Sequence, residues 1–131
     1  MILLDTHVLI WLMLDPKHLS VAAASAIRRA RRSQGIALAA ISLWELARLF
    51  SLGHVTGRGT VEASVRTLIE DSGAEIRPIT TEIAALAWQF PEEFPHDPAD
   101  RLIAATARAE GMTLITRDQR IRQSPLLRTL W

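Results

Sequence analysis

The chain has 131 residues, 49% of them hydrophobic and 22% charged, with a formal net charge of +1 at pH 7. That length is one domain with enough residues to bury a core, and the composition carries no mark of a disordered or low-complexity chain. With no cysteine, disulfides, thiolate metal sites and cysteine nucleophiles are excluded.

Taken in order, the chain opens on "MILLDTHVLIWLML", in which "ILL" at 2–4 reads as a strand and 6–13 as a helix. Asp5 is the only formal charge there. It stands inside what would be the apolar stretch of a signal peptide, with no basic segment before it and no small-residue cleavage site after it. No apolar run reaches membrane-spanning length, so a cytoplasmic protein is expected. A helix over 19–33, entered through Ser20, carries the basic run "RRARR" at 28–32. Fourteen of the fifteen basic residues are Arg, the exception being Lys17. The run reads as the solvated end of a helix, with phosphate contact as its functional alternative.

"IALAA" at 36–40 is the second strand, followed by a helix over 42–52 that stops near Gly53. "GHVTGRG" at 53–59 has the composition of a flexible loop. A helix over 60–72, a strand "EIRPI" at 75–79 and a helix over 81–90 follow. "FPEEFPHDP" at 90–98 holds three prolines and leads into a helix over 97–110 that ends at Gly111. "TLIT" at 113–116 is the fourth strand, Arg117, Arg120, Arg122 and Arg128 make the tail basic, and "LRTLW" at 127–131 is a short fifth strand. Continuous apolar strands alternating with helices predict an α/β fold, three layers deep, around a mainly parallel sheet of four to five strands.

That topology gives the acids their meaning. Parallel strands joined by right-handed crossovers place their C-terminal ends on one edge, where open α/β sheets form their ligand crevice. Asp5 ends the first strand, Glu45 stands in the first turn of the helix after the second, Asp97 and Asp100 open the 97–110 helix, and Asp118 follows the fourth strand. Each has a local explanation. "SLWE" matches a capping box from Ser42 to Glu45, "DPAD" places Asp97 at a cap, Asp5 or Thr6 suits the cap of the first helix, and Asp118 suits a turn. Together they are harder to explain, because carboxylates crowded on one rim repel one another unless a cation neutralises them. An oxygen-only set suits Mg²⁺ or Mn²⁺, which activates water and stabilises the charge of a phosphodiester displacement.

Other acidic α/β sites fail on particular residues. A phospho-receiver wants a late Lys, and none follows Lys17. A dehalogenase-type site wants Asp two residues after the first, where this chain has His7. His7, His18, His54 and His96 show no zinc-ligand spacing. There is no G-x-S-x-G elbow and no Gly-rich phosphate loop. Trp11, Trp44, Trp88 and Trp131 read as core packing or a dimer face before base stacking, and Arg101 reads as the partner of a carboxylate before that of a phosphate.

"LLDTHVLIWLMLDP", "ISLWELARLFSLGHV", "HDPADRLIAATARAEGMTLITRD" and "LRTLW" resemble, in that order, the PIN-domain ribonucleases and specifically the VapC-type toxins of type II toxin–antitoxin pairs. Residues 54–80 match that family only in length and general character. The resemblance implies a PIN-like α/β/α fold and a Mg²⁺ or Mn²⁺ pocket in which Asp5, Glu45, Asp100 and Asp118 are catalytic metal ligands, with Asp97 as an additional acid. Thr6 and Thr116 are the supporting hydroxyl residues. Where many relatives carry a Lys after the Glu, this chain has Arg48 and Leu49. The resemblance further implies hydrolysis of an RNA substrate, inhibition by a small VapB-type antitoxin and a homodimer. Its competitors are a catalytically inactive PIN-like module that binds RNA or protein, and a DNA-directed nuclease.

Overall fold

Five short apolar segments pair into one all-parallel sheet in the computed structural model, which describes residues 1–131. The strands are β1 (Ile2–Leu4), β2 (Ile36–Ala39), β3 (Glu75–Arg77), β4 (Leu114–Ile115) and β5 (Thr129–Leu130), ordered β3-β2-β1-β4-β5. β1 is central, with Leu4 opposite Leu38 on one side and Ile115 on the other. The α/β architecture is as expected, and the strands are shorter than their apolar runs. Ala40 has already turned into helical backbone at φ −54° and ψ −34°, and Pro78 has no N–H to extend β3.

Seven α-helices fill the connections: α1 (Thr6–Leu14), α2 (Val21–Arg31), α3 (Ile41–Ser51), α4 (Val61–Ser72), α5 (Thr81–Gln89), α6 (Pro98–Ala109) and α7 (Gln119–Arg122). A 3-10 turn spans Pro16–His18. The short α7 and that turn have no apolar periodicity of their own and were not expected. Three helix starts are fixed by hydroxyl caps: Ser20 Oγ accepts from Ala23 N at 3.0 Å, Thr60 Oγ1 from Ala63 N at 3.0 Å and Thr80 Oγ1 from Ile83 N at 3.2 Å.

Alternation along the strands builds two cores. Leu3, Ala37, Ala39 and Leu114 meet Ile83 of α5, Ile103 of α6 and Ile121 of α7. Leu4, Ile36, Leu38 and Ile115 meet Leu9 of α1, Ile27 of α2, Leu46 of α3 and Leu68 of α4. Helices therefore cover both faces, which is why the strands read as unbroken apolar runs. Truncating any of the fully buried leucines to Ala is worth about 2–5 kcal/mol. No helix is long and apolar enough to cross a membrane.

At the β3 edge Arg77 is held by three short bonds. Its Nε and Nη2 donate to Glu110 at 2.7 and 2.9 Å, and its Nη1 donates to Glu75 at 2.6 Å. The pair joins the edge strand to the residue that ends α6.

The 53–59 segment is more firmly seated than its composition implies. Gly57 lies so close to α4 that a Cβ on it would come within 2.2 Å of Ser64 Oγ and 2.7 Å of Ser64 Cβ, and Ser64 Oγ donates to Arg58 O at 3.2 Å. Gly57→Ala therefore forces a loop or helix shift. It is expected to lower the unfolding free energy by about 1–3 kcal/mol in urea titrations, as overpacked sites do.

Candidate active site

All the strands end on one edge, and the acids gather there. Asp5 leaves β1 and caps α1, its Oδ1 accepting from Thr6 N at 2.8 Å. Its backbone N donates to Ile115 O at 3.0 Å, so the residue after β1 is still tied to β4. Asp5 Oδ2 accepts from Thr116 Oγ1 at 2.7 Å, and the same Thr116 oxygen accepts from Asp118 N at 3.1 Å. Thr116 is wholly buried, and its one hydroxyl spaces the acids of β1 and β4. Asp118 Oδ1 caps α7 through the N–H groups of Arg120 and Ile121 at 2.8 and 3.3 Å.

Glu45 does not form the capping box read from "SLWE". α3 begins one residue earlier, at Ile41, behind Ala40, and has no side-chain cap. Ser42 is instead fully buried, with its Oγ 2.8 Å from Thr6 Oγ1, and the Thr6 hydroxyl donates to Glu45 Oε1. One helical turn then carries Glu45 from the sheet to the rim. Asp97 likewise makes no cap bond to α6. So Asp5 and Asp118 both cap a helix and face the crevice, whereas Glu45 and Asp97 have no capping role. Ser42 is the site residue the sequence left out, because its hydroxyl was assigned to a cap.

Asp5, Glu45, Asp97, Asp100 and Asp118 line one cavity of about 460 Å³ with His7, Val8, Trp11 and Arg117. Burial pushes the carboxyls of Asp5 and Glu45 up from their usual range, partly offset at Asp5 by the bonds from Thr116 and Thr6 and at Glu45 by the bond from Thr6. Asp100 is pushed from 3.8 to about 7, first by burial and then by the charges of Asp5, Asp97, Asp118 and Glu45. As placed, no three of these acids close around a common point tightly enough to hold an ion.

Arg101 departs from its expected role. It pairs with no carboxylate: Nε donates to Pro95 O at 2.9 Å, Nη1 to Ala87 O and Phe90 O at 3.3 and 3.2 Å, and Nη2 to Pro91 O and Phe94 O at 3.2 and 3.4 Å. Five carbonyls at the end of α5 and along the proline loop thus converge on the residue beside Asp100, and the loop enters α6 in one fixed way. The tryptophans divide. Trp11 and Trp131 are half-buried against each other, at 5.7 Å between ring centroids, whereas Trp44 and Trp88 lie on the surface, 63% and 87% exposed.

The PIN-domain family model matches residues 2–125. The chain belongs to the PIN-domain family. Within it the likeness is to VapC proteins: the chain is 39% identical to Ribonuclease VapC22 of Mycobacterium tuberculosis over 134 residues, covering 99% of this chain and 98% of that one. Among solved structures, VapBC2 of Rickettsia felis bound to a promoter DNA fragment superposes with a TM-score of 0.73 at 20% identity, covering 99% and 98% of the two chains. DNA-bound VapBC of Salmonella typhimurium gives 0.69 at 21%, with the same coverage. Those two likenesses establish the fold, an α/β/α sandwich with an all-parallel sheet.

Two outcomes test the site's electrostatics and scaffolding. Asp100 holds a proton when folded that the unfolded chain has released at the same pH. Its contribution to stability is therefore full below 3.8 and is lost as pH rises through about 7. In chelator, Asp100→Asn is expected to raise the melting temperature at pH 8 by a few degrees, about 1–2 kcal/mol after solvent screening, and to flatten the decline between pH 4 and 7. Arg101→Lys supplies one compact donor group for five carbonyls, and urea unfolding is expected to show a loss of about 1–3 kcal/mol.

Proposed function

We propose that the chain is a metal-dependent endoribonuclease, the toxin of a toxin–antitoxin pair acting in the cytoplasm. The observation that carries this reading is the gathering of five carboxylates in one cavity at the C-terminal edge of a PIN-domain sheet. The 39% identity to a protein named a ribonuclease supports the reaction class, and the likeness to VapBC complexes supports a small VapB-type antitoxin as partner. The exposed Trp88 and Trp44 support contact with a second protein surface, for which a second copy of the chain is the proposed occupant.

The donor set suits Mg²⁺ or Mn²⁺: every candidate ligand is a carboxylate oxygen, there is no cysteine, and the carboxyls of Asp5, Glu45 and Asp100 are raised first by burial and then by the charges of neighbouring acids. Asp5, Asp100 and Asp118 would hold the ion, with Glu45 and the outlying Asp97 completing the set. Bound there, it supplies positive charge against the oxyanion that builds at phosphorus and makes water easier to deprotonate. The chain's own part is positioning. Thr116 and Thr6 fix Asp5, the caps on α7 fix Asp118, and Thr6 with Ser42 aims Glu45 at the rim, where it orients the attacking water. Nothing donates to the carboxyls of Asp97 and Asp100, which leaves those two acids freest to turn toward an ion.

A second reading, an inactive module that binds RNA or protein, is favoured by one observation: the acids as placed do not close around a point. Cleavage decides between the two. With Mg²⁺ or Mn²⁺ the purified protein is expected to cut single-stranded RNA in preference to matched DNA. Chelation should stop it, and Asp5→Asn should lower the rate by at least about a hundredfold with the circular dichroism spectrum unchanged. Intact RNA after incubation of wild type with either metal would establish the binding module, and equal cutting of DNA would replace the substrate class.

A further inference from the structure

Arg117 is the only arginine or lysine among the residues that line the acid cavity. It follows the buried Thr116 and precedes Asp118, so its backbone is fixed on both sides by the bonds that build the site. Five carboxylates share its cavity, yet it forms an ion pair with none of them; the chain's ion pairs involve only Asp15, Glu62, Glu75 and Glu110. Its guanidinium lies instead over the ring of Trp11, 5.9 Å from the centroid.

That ring is itself clamped. His18 stacks on Trp11 at 5.7 Å with the planes 14° apart, and His18 Nδ1 is tied to Asp15 Oδ2 at 2.8 Å. Trp131 packs at 5.7 Å with a 58° tilt. A cation resting on a rigid aromatic face keeps its in-plane N–H donors free, and the planar fork of Arg matches a phosphate with two parallel bonds. Beyond Trp131 the same edge continues into a second cavity of about 460 Å³, lined by Arg122, Gln119, Gln123 and Trp131 itself. Arg122 is exposed and also lacks an acidic partner. A path therefore runs from the acids across Arg117 and the Trp11–Trp131 pair to Arg122.

We propose that this path is a substrate subsite: Arg117, propped on Trp11, binds the RNA phosphate next to the scissile one, and the strand continues over Trp131 to Arg122. The inference rests on the ribonuclease reading and adds where the strand runs. The charge pattern favours a polyanion, since the positive groups flank a pocket that itself repels phosphate until a cation fills it. A protein partner's carboxylate is the competing occupant of Arg117.

The test compares wild type, Arg117→Ala and Arg117→Lys on a short, labelled single-stranded oligoribonucleotide of mixed sequence, at several salt concentrations. Arg117→Ala is expected to raise KM about tenfold with kcat within about twofold, and to reduce the slope of log kcat/KM against log salt by about 0.7, one phosphate contact on a single strand. Arg117→Lys keeps the charge and should keep the slope. Unchanged melting temperature in both variants, with Mn²⁺ bound no more weakly than by wild type, would show that the acids and the fold are untouched. If wild type cuts the oligoribonucleotide and Arg117→Ala matches it in KM and salt slope, the subsite is wrong and the ribonuclease reading stands. If Arg117→Ala loses only binding to an antitoxin, Arg117 belongs to the protein interface. A fall in kcat with lost Mn²⁺ affinity would assign Arg117 to the acid cluster instead, and wild type that leaves the RNA intact would overturn both readings.

Discussion

Leu3 and Leu4 point to opposite faces of β1, and both are wholly shielded from water. A central parallel strand buried on both sides has no lateral surface on which to place a polar side chain. The only exit is along its axis, and Asp5 is the first residue past it. The same holds for β4, where Leu114 and Ile115 are buried and Thr116 and Asp118 follow. The site is thus confined to the sheet's C-terminal edge by the packing that forms the sheet, and the rigidity of its first acid is inherited from the two cores.

Within that edge, hydroxyl groups do the spacing. Thr116 stands between Asp5 and Asp118, and Thr6 with Ser42 stands between α1 and Glu45. Thr116 and Thr6 each donate to a carboxylate, Ser42 bonds the Thr6 hydroxyl, and no buried side-chain polar atom is left unbonded. Neutral donors hold the acids apart without cancelling their charge. An arginine in the same place would have removed the pocket's negative potential, and Arg101, the nearest one in sequence to Asp100, turns its whole guanidinium toward carbonyls instead.

What was legible in the sequence follows from which interactions leave a pattern. The sheet was readable because strands covered on both faces must be continuously apolar, and the convergence of Asp5, Glu45, Asp100 and Asp118 followed from parallel topology. Ser20, Gly53 and Gly111 marked helix ends correctly because capping is local. "SLWE" misled because the chain bends into α3 at Ala40, so a motif with the right spacing was two residues out of phase. Arg101 was misread because its partners are backbone carbonyls, which every residue has and no composition reveals. Gly57 looked like freedom, yet it is a contact: its missing side chain lets the loop lie against Ser64.

The bonds of Arg77 at the β3 edge have a consequence for how the molecule behaves in a crowd. An open parallel sheet ends in two strands with unpaired N–H and C=O groups, and such edges recruit strands from other chains. Here one border strand is three residues long, carries Glu75 and Arg77, and runs into Pro78, while the other is two residues long. A neighbour's strand adding at β3 would have to accommodate a guanidinium already locked to two glutamates and then meet a residue with no N–H. The bonds that join β3 to α6 thereby also oppose strand addition at that edge of a chain with 49% hydrophobic residues.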